Sequence, residues 1–97
     1  MRVISKRILR EFWEVHPDCM QQLKSWYQEF NNNRFGSPTD LKIKYPSASI
    51  LADNRVVFNI KGNSYRLIVK INYEYQTVWI RFIGTHTACD KIDATKI

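Results

Sequence analysis

Cysteine is scarce in this chain, and what little there is argues against two classes of protein. Cys19 and Cys89 stand far apart, with no Cys-x-x-Cys or His-x-His spacing beside either. Neither a zinc site nor a disulfide scaffold is indicated, and no metal or cofactor is expected. Long apolar runs are missing as well. The opening stretch MRVISKRILREFW carries a charge every few residues and has no continuous apolar segment of the signal-peptide kind, and nothing elsewhere approaches a membrane span. A cytoplasmic protein with reduced thiols is the expectation. Repeats and low-complexity tracts are also absent. Acid is the last scarcity. From Arg55 through His86, five lysines and arginines face a single carboxylate, Glu74, so ion pairing within that stretch cannot neutralise it.

What is present is a folding composition, 44% apolar with 13% aromatic residues. The 97 residues suit one domain, residues 1–97, burying roughly 60 to 65% of its unfolded surface around one modest core. A net charge of +6 and a pI near 9.6 point to an anionic partner. On charge alone, nucleic acid, an acidic protein and a membrane surface all qualify.

The first third of the chain repeats at helical spacing. Ile8, Leu9, Phe12 and Trp13 follow Ser5, which is placed as an N-cap, and Pro17 stops the helix. Leu23, Trp26, Tyr27 and Phe30 fall at i, i+3, i+4 and i+7 on one apolar face of a second helix that ends in NNNRFG. A third, short helix is signalled by Ser37 as N-cap, Pro38 at the first helical position and Asp40 in the first turn, with Pro46 as its stop.

From Arg55 the period changes to two. RVVFNIKGNSYRLIVKINYEYQTVWIRFIGT reads as three strands joined by tight turns at Gly62-Asn63 and Glu74-Tyr75. Two-residue loops would set Phe58 opposite Leu67, Asn59 opposite Arg66, Val69 opposite Ile80, Leu67 opposite Phe82 and Ile68 opposite Arg81. One face then carries Val56, Phe58, Ile60, Leu67, Val69, Ile71, Val78, Ile80 and Phe82, a core to lie under the helices. The other carries Arg55, Val57, Asn59, Arg66, Ile68, Lys70, Trp79, Arg81 and Ile83. Four cations and no carboxylate on this second face are the most informative pattern here. Alternating cations on a strand often simply face water. With Trp79, Ile68 and Ile83 between them, they also suit single-stranded RNA, whose bases stack and whose phosphates pair.

The segments FWEVHPD, YPSASIL, RVVFNIKGNSYRLIVKINY and IRFIGTH followed by DKID together resemble a HigB-type toxin of the RelE-like superfamily, the toxin half of a bacterial type II toxin-antitoxin pair. The resemblance covers essentially the whole chain. It implies an α+β fold, with N-terminal helices packed on one face of a small, mainly antiparallel twisted sheet. The opposite face is basic and concave, and a short helical segment closes the chain. It also implies an endoribonuclease that cuts mRNA, usually in the ribosomal A site. The partner it implies is a HigA-like helix-turn-helix antitoxin, with no membrane involved. Arg66 in YRL matches the strand arginine such toxins use at the scissile phosphate. Asn59 stands where several relatives carry a basic residue, and Cys89 where they tend to have tyrosine, which leaves Tyr65, Tyr73 or Tyr75 to take that part or activity reduced.

RNA cleavage without a metal uses the 2′-hydroxyl as nucleophile. It needs a proton acceptor, a donor for the leaving 5′-oxygen, and cations around the charge that builds on phosphate. His86 exchanges protons near neutral pH. Arg66 and Arg81 offer bidentate forks, and these three are the catalytic candidates. Arg55, Asn59, Lys70 and Trp79 are candidates for RNA binding, and Asp90 and Lys91 are auxiliary. His86 has a structural alternative, a capping residue bonded to Asp90, and His16 reads as structural. By parity His86 falls with Phe82 on the core side, so reaching the basic face requires the chain to twist or leave the strand at Gly84-Thr85. Three function classes stay open: an mRNA endonuclease, an RNA-binding module without cleavage, and a degraded toxin that only pairs with its antitoxin.

Overall fold

The structure, a computed structural model, describes residues 1–97 and has the α+β architecture. Strand β1 (Arg2–Ile4) leads into helix α1 (Lys6–Val15), a 3₁₀ turn (Pro17–Cys19) and α2 (Met20–Asn32). Then come α3 (Pro38–Lys44), the two-residue β2 (Ser49–Ile50), β3 (Arg55–Ile60), β4 (Tyr65–Asn72), β5 (Thr77–Thr85) and the short α4 (His86–Cys89). The strands form one open sheet in the order β1-β5-β4-β3-β2. β1 runs parallel to β5, and the other neighbours are antiparallel. No helix is long and apolar enough to cross a membrane.

The helices pack on one face, as their apolar spacing requires. Leu9 and Trp13 of α1, Leu23, Trp26 and Phe30 of α2, and Leu41 of α3 join Val56, Phe58, Ile60, Leu67, Val69, Ile71, Val78 and Ile80 in the main core. Helix α3 starts as its sequence predicts: the Asp40 amide donates to Ser37 Oγ (3.2 Å) and Pro38 is the first helical residue. Ser5 holds the N-cap position of α1 but makes no side-chain cap. It lies before the helix but in left-handed backbone (φ 75°), with no hydrogen bond from its side chain. The chain needs that bend because it must turn from strand β1 into α1 within one residue.

Gln76 ties the helical layer to the sheet. It is buried at the β4–β5 turn with φ 52°. Its Nε2 donates to the carbonyls of Phe35 (2.8 Å) and Tyr73 (2.7 Å), and its Oε1 accepts from the Phe35 amide. One side chain therefore satisfies three backbone groups that would otherwise be stranded away from water.

The β3–β4 register matches expectation, with Val56 opposite Val69, Phe58 opposite Leu67 and Asn59 opposite Arg66. The β4–β5 register does so only at its start. Val69 lies opposite Ile80, but Ile68 then pairs with Phe82, Leu67 with Ile83, and Arg66 with Gly84. One extra residue, Arg81, has been inserted into β5, which is a β-bulge. Beyond it every side chain changes face. Ile83, expected among the cations, packs against the main core, and Phe82, expected in that core, joins Val57 and Ile68 on the second face. The second face thus has an apolar cluster of its own. Cys89 completes it, and Leu51, Ile92, Ala94 and Ile97 pack over it.

Phe82 lies across Gly84 on this face. A β-carbon at Gly84 would sit 2.6 Å from the Phe82 ring, so only glycine fits beneath the ring as it stands. Gly84→Ala is expected to destabilise the fold by about 1–3 kcal/mol through overpacking. Phe82→Leu in the same chain should recover part of that loss. Urea unfolding of the two single variants and the double variant checks this, because strictly additive losses would mean that the two residues do not share the contact.

Candidate active site

After the bulge Phe82 lies on the second face and Ile83 on the core, and beyond Thr85 the chain forms α4 on the side opposite the helices. Thr85 Oγ1 accepts from the Ala88 amide (3.1 Å), which caps α4 and makes His86 its first residue. The His86 amide donates to the Ser64 carbonyl (3.1 Å), fixing α4 to the β3–β4 turn. His86 is half-buried, and its Nε2 lies 3.5 Å from Asp90 Oδ1, one helical turn on. The helix headed by His86 therefore lies on the second face, after a bulge at Arg81 and where the chain leaves the strand at Thr85.

Arg66 occupies the same end of the sheet, between Asn59 on β3 and Gly84 on β5. Its side chain is half-buried, and its Nε is buried without an acceptor in the protein. The ion pairs in the structure use Arg7, Arg55, Lys61, His86 and Lys96, so Arg66 keeps its charge free of any carboxylate. Burial raises the pKa of the neighbouring Cys89 thiol; the charge of Arg66 works in the opposite direction without overcoming it. Cys89 is therefore a protonated packing residue, 9% exposed, without the thiolate a nucleophile needs.

The remaining sequence candidates separate into groups. Lys70 lies opposite Trp79 and Arg55 in one row across three strands, and Arg81 lines the same basin as Lys70 and Trp79. Arg66 and Lys70 are four residues apart on β4, about 13 Å at strand rise. Val57, Ile68 and Phe82 fill the space between them. Ile68, expected to offer apolar surface to RNA, is fully buried beneath the C-terminal segment. Three of the four cations thus form two poles, Arg66 at one and Lys70 with Arg81 at the other, and not one continuous patch. Arg55 belongs to neither. Its Nε donates to the Ile97 carbonyl (2.8 Å), Asp53 Oδ2 is 4.0 Å away, and only 12% of its side chain is exposed. Asn59 is half-buried, with its amide 3.5 Å from the Ser47 carbonyl. Lys91 is exposed and outside every ion pair.

No tyrosine stands beside His86 on this face. Tyr65 packs in the main core, Tyr73 is packed against that core with its hydroxyl buried, and Tyr75 is 74% exposed at the far end of β5. Tyr65 instead holds the turn behind His86. Its hydroxyl donates to Asp18 Oδ1 (2.7 Å), while Asp18 Oδ2 also receives Lys61 Nζ (3.0 Å). His16 stacks on Phe12 (4.3 Å between ring centres) and meets Tyr65 edge-on, a packing role. Sequence reasoning missed this Asp18–Tyr65–Lys61 link, since its members lie in three separate elements. The Thr85 cap was missed as well, although a threonine three residues before Ala88 at the strand end is a local signal for it.

Helices on one face of a small, mainly antiparallel sheet, with an acid-poor opposite face, are consistent with a RelE-like fold. The family model described as HigB toxin, RelE-like toxic component of a toxin-antitoxin system, matches residues 19–92, and the chain belongs to this family. It is 28% identical over 92 residues to the mRNA interferase toxin HigB of Escherichia coli K12, covering 93% of this chain and 88% of that protein. The mRNA interferase HigB of Shigella flexneri gives the same identity and coverage. For the mRNA interferase HigB of Escherichia coli O6:H1 the identity is 24% over 94 residues, covering 95% and 91% of the two chains.

The Asp18 link sets a pH dependence at both extremes. Hydrogen bonds from Tyr65 and Lys61 hold the Asp18 carboxyl below its ordinary value of 3.8. Its contribution to stability is complete above that value and is lost as pH falls through the lower, folded value. Accepting from Tyr65, Asp18 pushes the phenol from 10.0 to about 12. That contribution is complete below pH 10 and is lost as pH rises towards 12. Urea midpoints measured across pH should show both limbs. Asp18→Asn should flatten the acid one and Tyr65→Phe the alkaline one, and a wild-type midpoint level from pH 9 to 12 would contradict the link.

Proposed function

We propose that this protein is the toxin of a type II toxin-antitoxin pair, an endoribonuclease that cuts mRNA and is neutralised by a cognate HigA-like antitoxin. The observation that carries the reading is Arg66: a guanidinium half-buried beside Gly84, with a buried unpartnered Nε and no carboxylate, on the strand that faces the His86 helix. Leaving a buried donor unpaired costs about 1–3 kcal/mol, a cost that an anionic ligand at that position removes. A phosphate suits it, because the guanidinium fork matches phosphate oxygens in pairs.

In this mechanism Arg66 binds the scissile phosphate and stabilises the charge that grows there as the 2′-hydroxyl attacks. His86 moves the proton, and Asp90, one turn along α4, orients the imidazole. The 2′-oxygen bonds to phosphorus, the bond to the 5′-oxygen breaks, and the leaving oxygen takes up a proton. We place the reaction on the translating ribosome, where the message is already held and oriented in the A site.

A second reading is a toxin that has lost cleavage and keeps antitoxin binding. It draws on Cys89, which occupies the place of the expected tyrosine and is turned into the apolar cluster with Val57 and Ile68. Induction without antitoxin, followed by primer extension on cellular messages, separates the two. Cuts within translated messages support the nuclease, and intact messages support the second reading. In purified single-turnover assays, His86→Ala should slow cleavage roughly 10²- to 10⁴-fold while leaving RNA affinity nearly intact. Arg66→Ala should damage both rate and affinity. His86→Gln, which keeps a hydrogen bond but carries no proton at neutral pH, should match His86→Ala. Wild-type rates in both folded His86 variants would make His86 structural.

A further inference from the structure

The second pole carries its own site. Trp79 is half-buried at the centre of a row that runs Ile4, Trp79, Lys70, Arg55 across the sheet. A basin of about 340 Å³ opens there, lined by Asn54, Lys70, Ile71, Asn72, Trp79 and Arg81. Several aromatic side chains of the core are engaged with one another, Trp26 with Phe30 and Phe58, and Tyr45 with Phe30 and Phe58. Lys6 covers Tyr27 and Lys24 covers Trp13. Trp79 takes part in no such contact. Neither Lys70 nor Arg81 belongs to an ion pair, and no carboxylate lines the basin.

We infer that this basin is a nucleotide subsite separate from the cleavage pole, in which a base of single-stranded RNA stacks on Trp79 and Lys70 and Arg81 pair with its phosphates. The inference rests on the nuclease reading for its purpose but not for its test. A flat ring free of internal partners, set between two uncommitted cations, matches a nucleotide part for part. An acidic peptide would use the cations and leave the ring idle. Arg81 accordingly moves from the catalytic candidates to a binding role, since the bulge aims it at this pole. About 13 Å of strand separates the poles, roughly four nucleotides of stacked single strand at 3.4 Å each. Between them the C-terminal segment covers Val57 and Ile68, so a strand that touches both poles passes over that segment. Messages would then be gripped a few nucleotides from where they are cut, and the grip would favour unpaired RNA.

The probe is a 2′-O-methyl RNA octamer, which lacks the nucleophilic hydroxyl, so binding is read whether or not the protein cleaves. Trp13 and Trp26 are buried in the core at 8% and 3% exposure, which leaves Trp79 as the indole a bound base can quench. Titration of the intact protein should quench tryptophan emission. Trp79→Leu should weaken binding on the order of ten- to a hundred-fold, as expected for loss of one stacked base. Trp79→Phe should keep affinity within a few-fold while losing the signal. Lys70→Gln and Arg81→Gln should each reduce the log-log salt slope by about 0.7. Unchanged octamer affinity in Trp79→Leu, read by anisotropy of a labelled oligomer, would overturn the assignment. So would variants that keep the octamer but lose the antitoxin, which would make the basin a protein-docking surface.

Discussion

One inserted residue, Arg81, fixes the layout of this molecule. Without it, β5 would pair with β4 in a single register from end to end, Phe82 would lie in the helical core, and His86 would follow it to the same side. With it, the last part of β5 is turned over. Ile83 fills the core in place of Phe82, Phe82 seeds a second apolar cluster, and α4 is delivered to the face that carries Arg66. The bulge also fixes Gly84, because the ring it brings over lies where any β-carbon would go. A single backbone irregularity thus supplies both the second cluster and the proposed proton-transfer residue.

Much of the fold was legible because its signals are local. Helical spacing in Leu23, Trp26 and Phe30, the Ser37-Pro38 start of α3, and the alternation from Val56 to Ile80 each declare themselves within a few residues, and the apolar residues of the first and last are buried as their pattern requires. Strands β1 and β2 were not legible. Three residues and two residues carry no period, and they are strands only because β5 and β3 offer them an edge. The bulge left no trace either. Arg-Phe-Ile continues an alternating stretch, and its registry is decided by which ring fits against Ile68 and the C-terminal segment.

The site was legible in parts. Counting cations along alternate positions found the second face but treated it as continuous, since spacing along strands cannot show what the chain's last residues will cover. Arg55 has the same spacing as Lys70 yet is spent on Asp53 and Ile97. Ile68, read as exposed, lies beneath Ile92 and Ile97, whose apolar character was visible in the sequence without any indication of a destination. The pairing of Arg66 with His86 as chemical partners came from the family resemblance. The geometry adds a physical reason to attend to Arg66, its unpartnered buried donor.

The parallel pairing of β1 with β5 has a kinetic meaning. Arg2 meets Thr77, so this contact closes a loop over most of the chain, whereas the β3–β4 and β4–β5 ladders close over turns of a few residues. Loop-closure entropy therefore orders assembly: the three-stranded meander can form early from local contacts, and the first strand must wait for it. Until then α1 and α2 have no sheet against which to bury Trp13, Leu23 and Phe30, and their apolar stripes stay open to other chains. In the interval before the meander forms, the protein depends on speed, or on a companion that covers those stripes, to avoid aggregation.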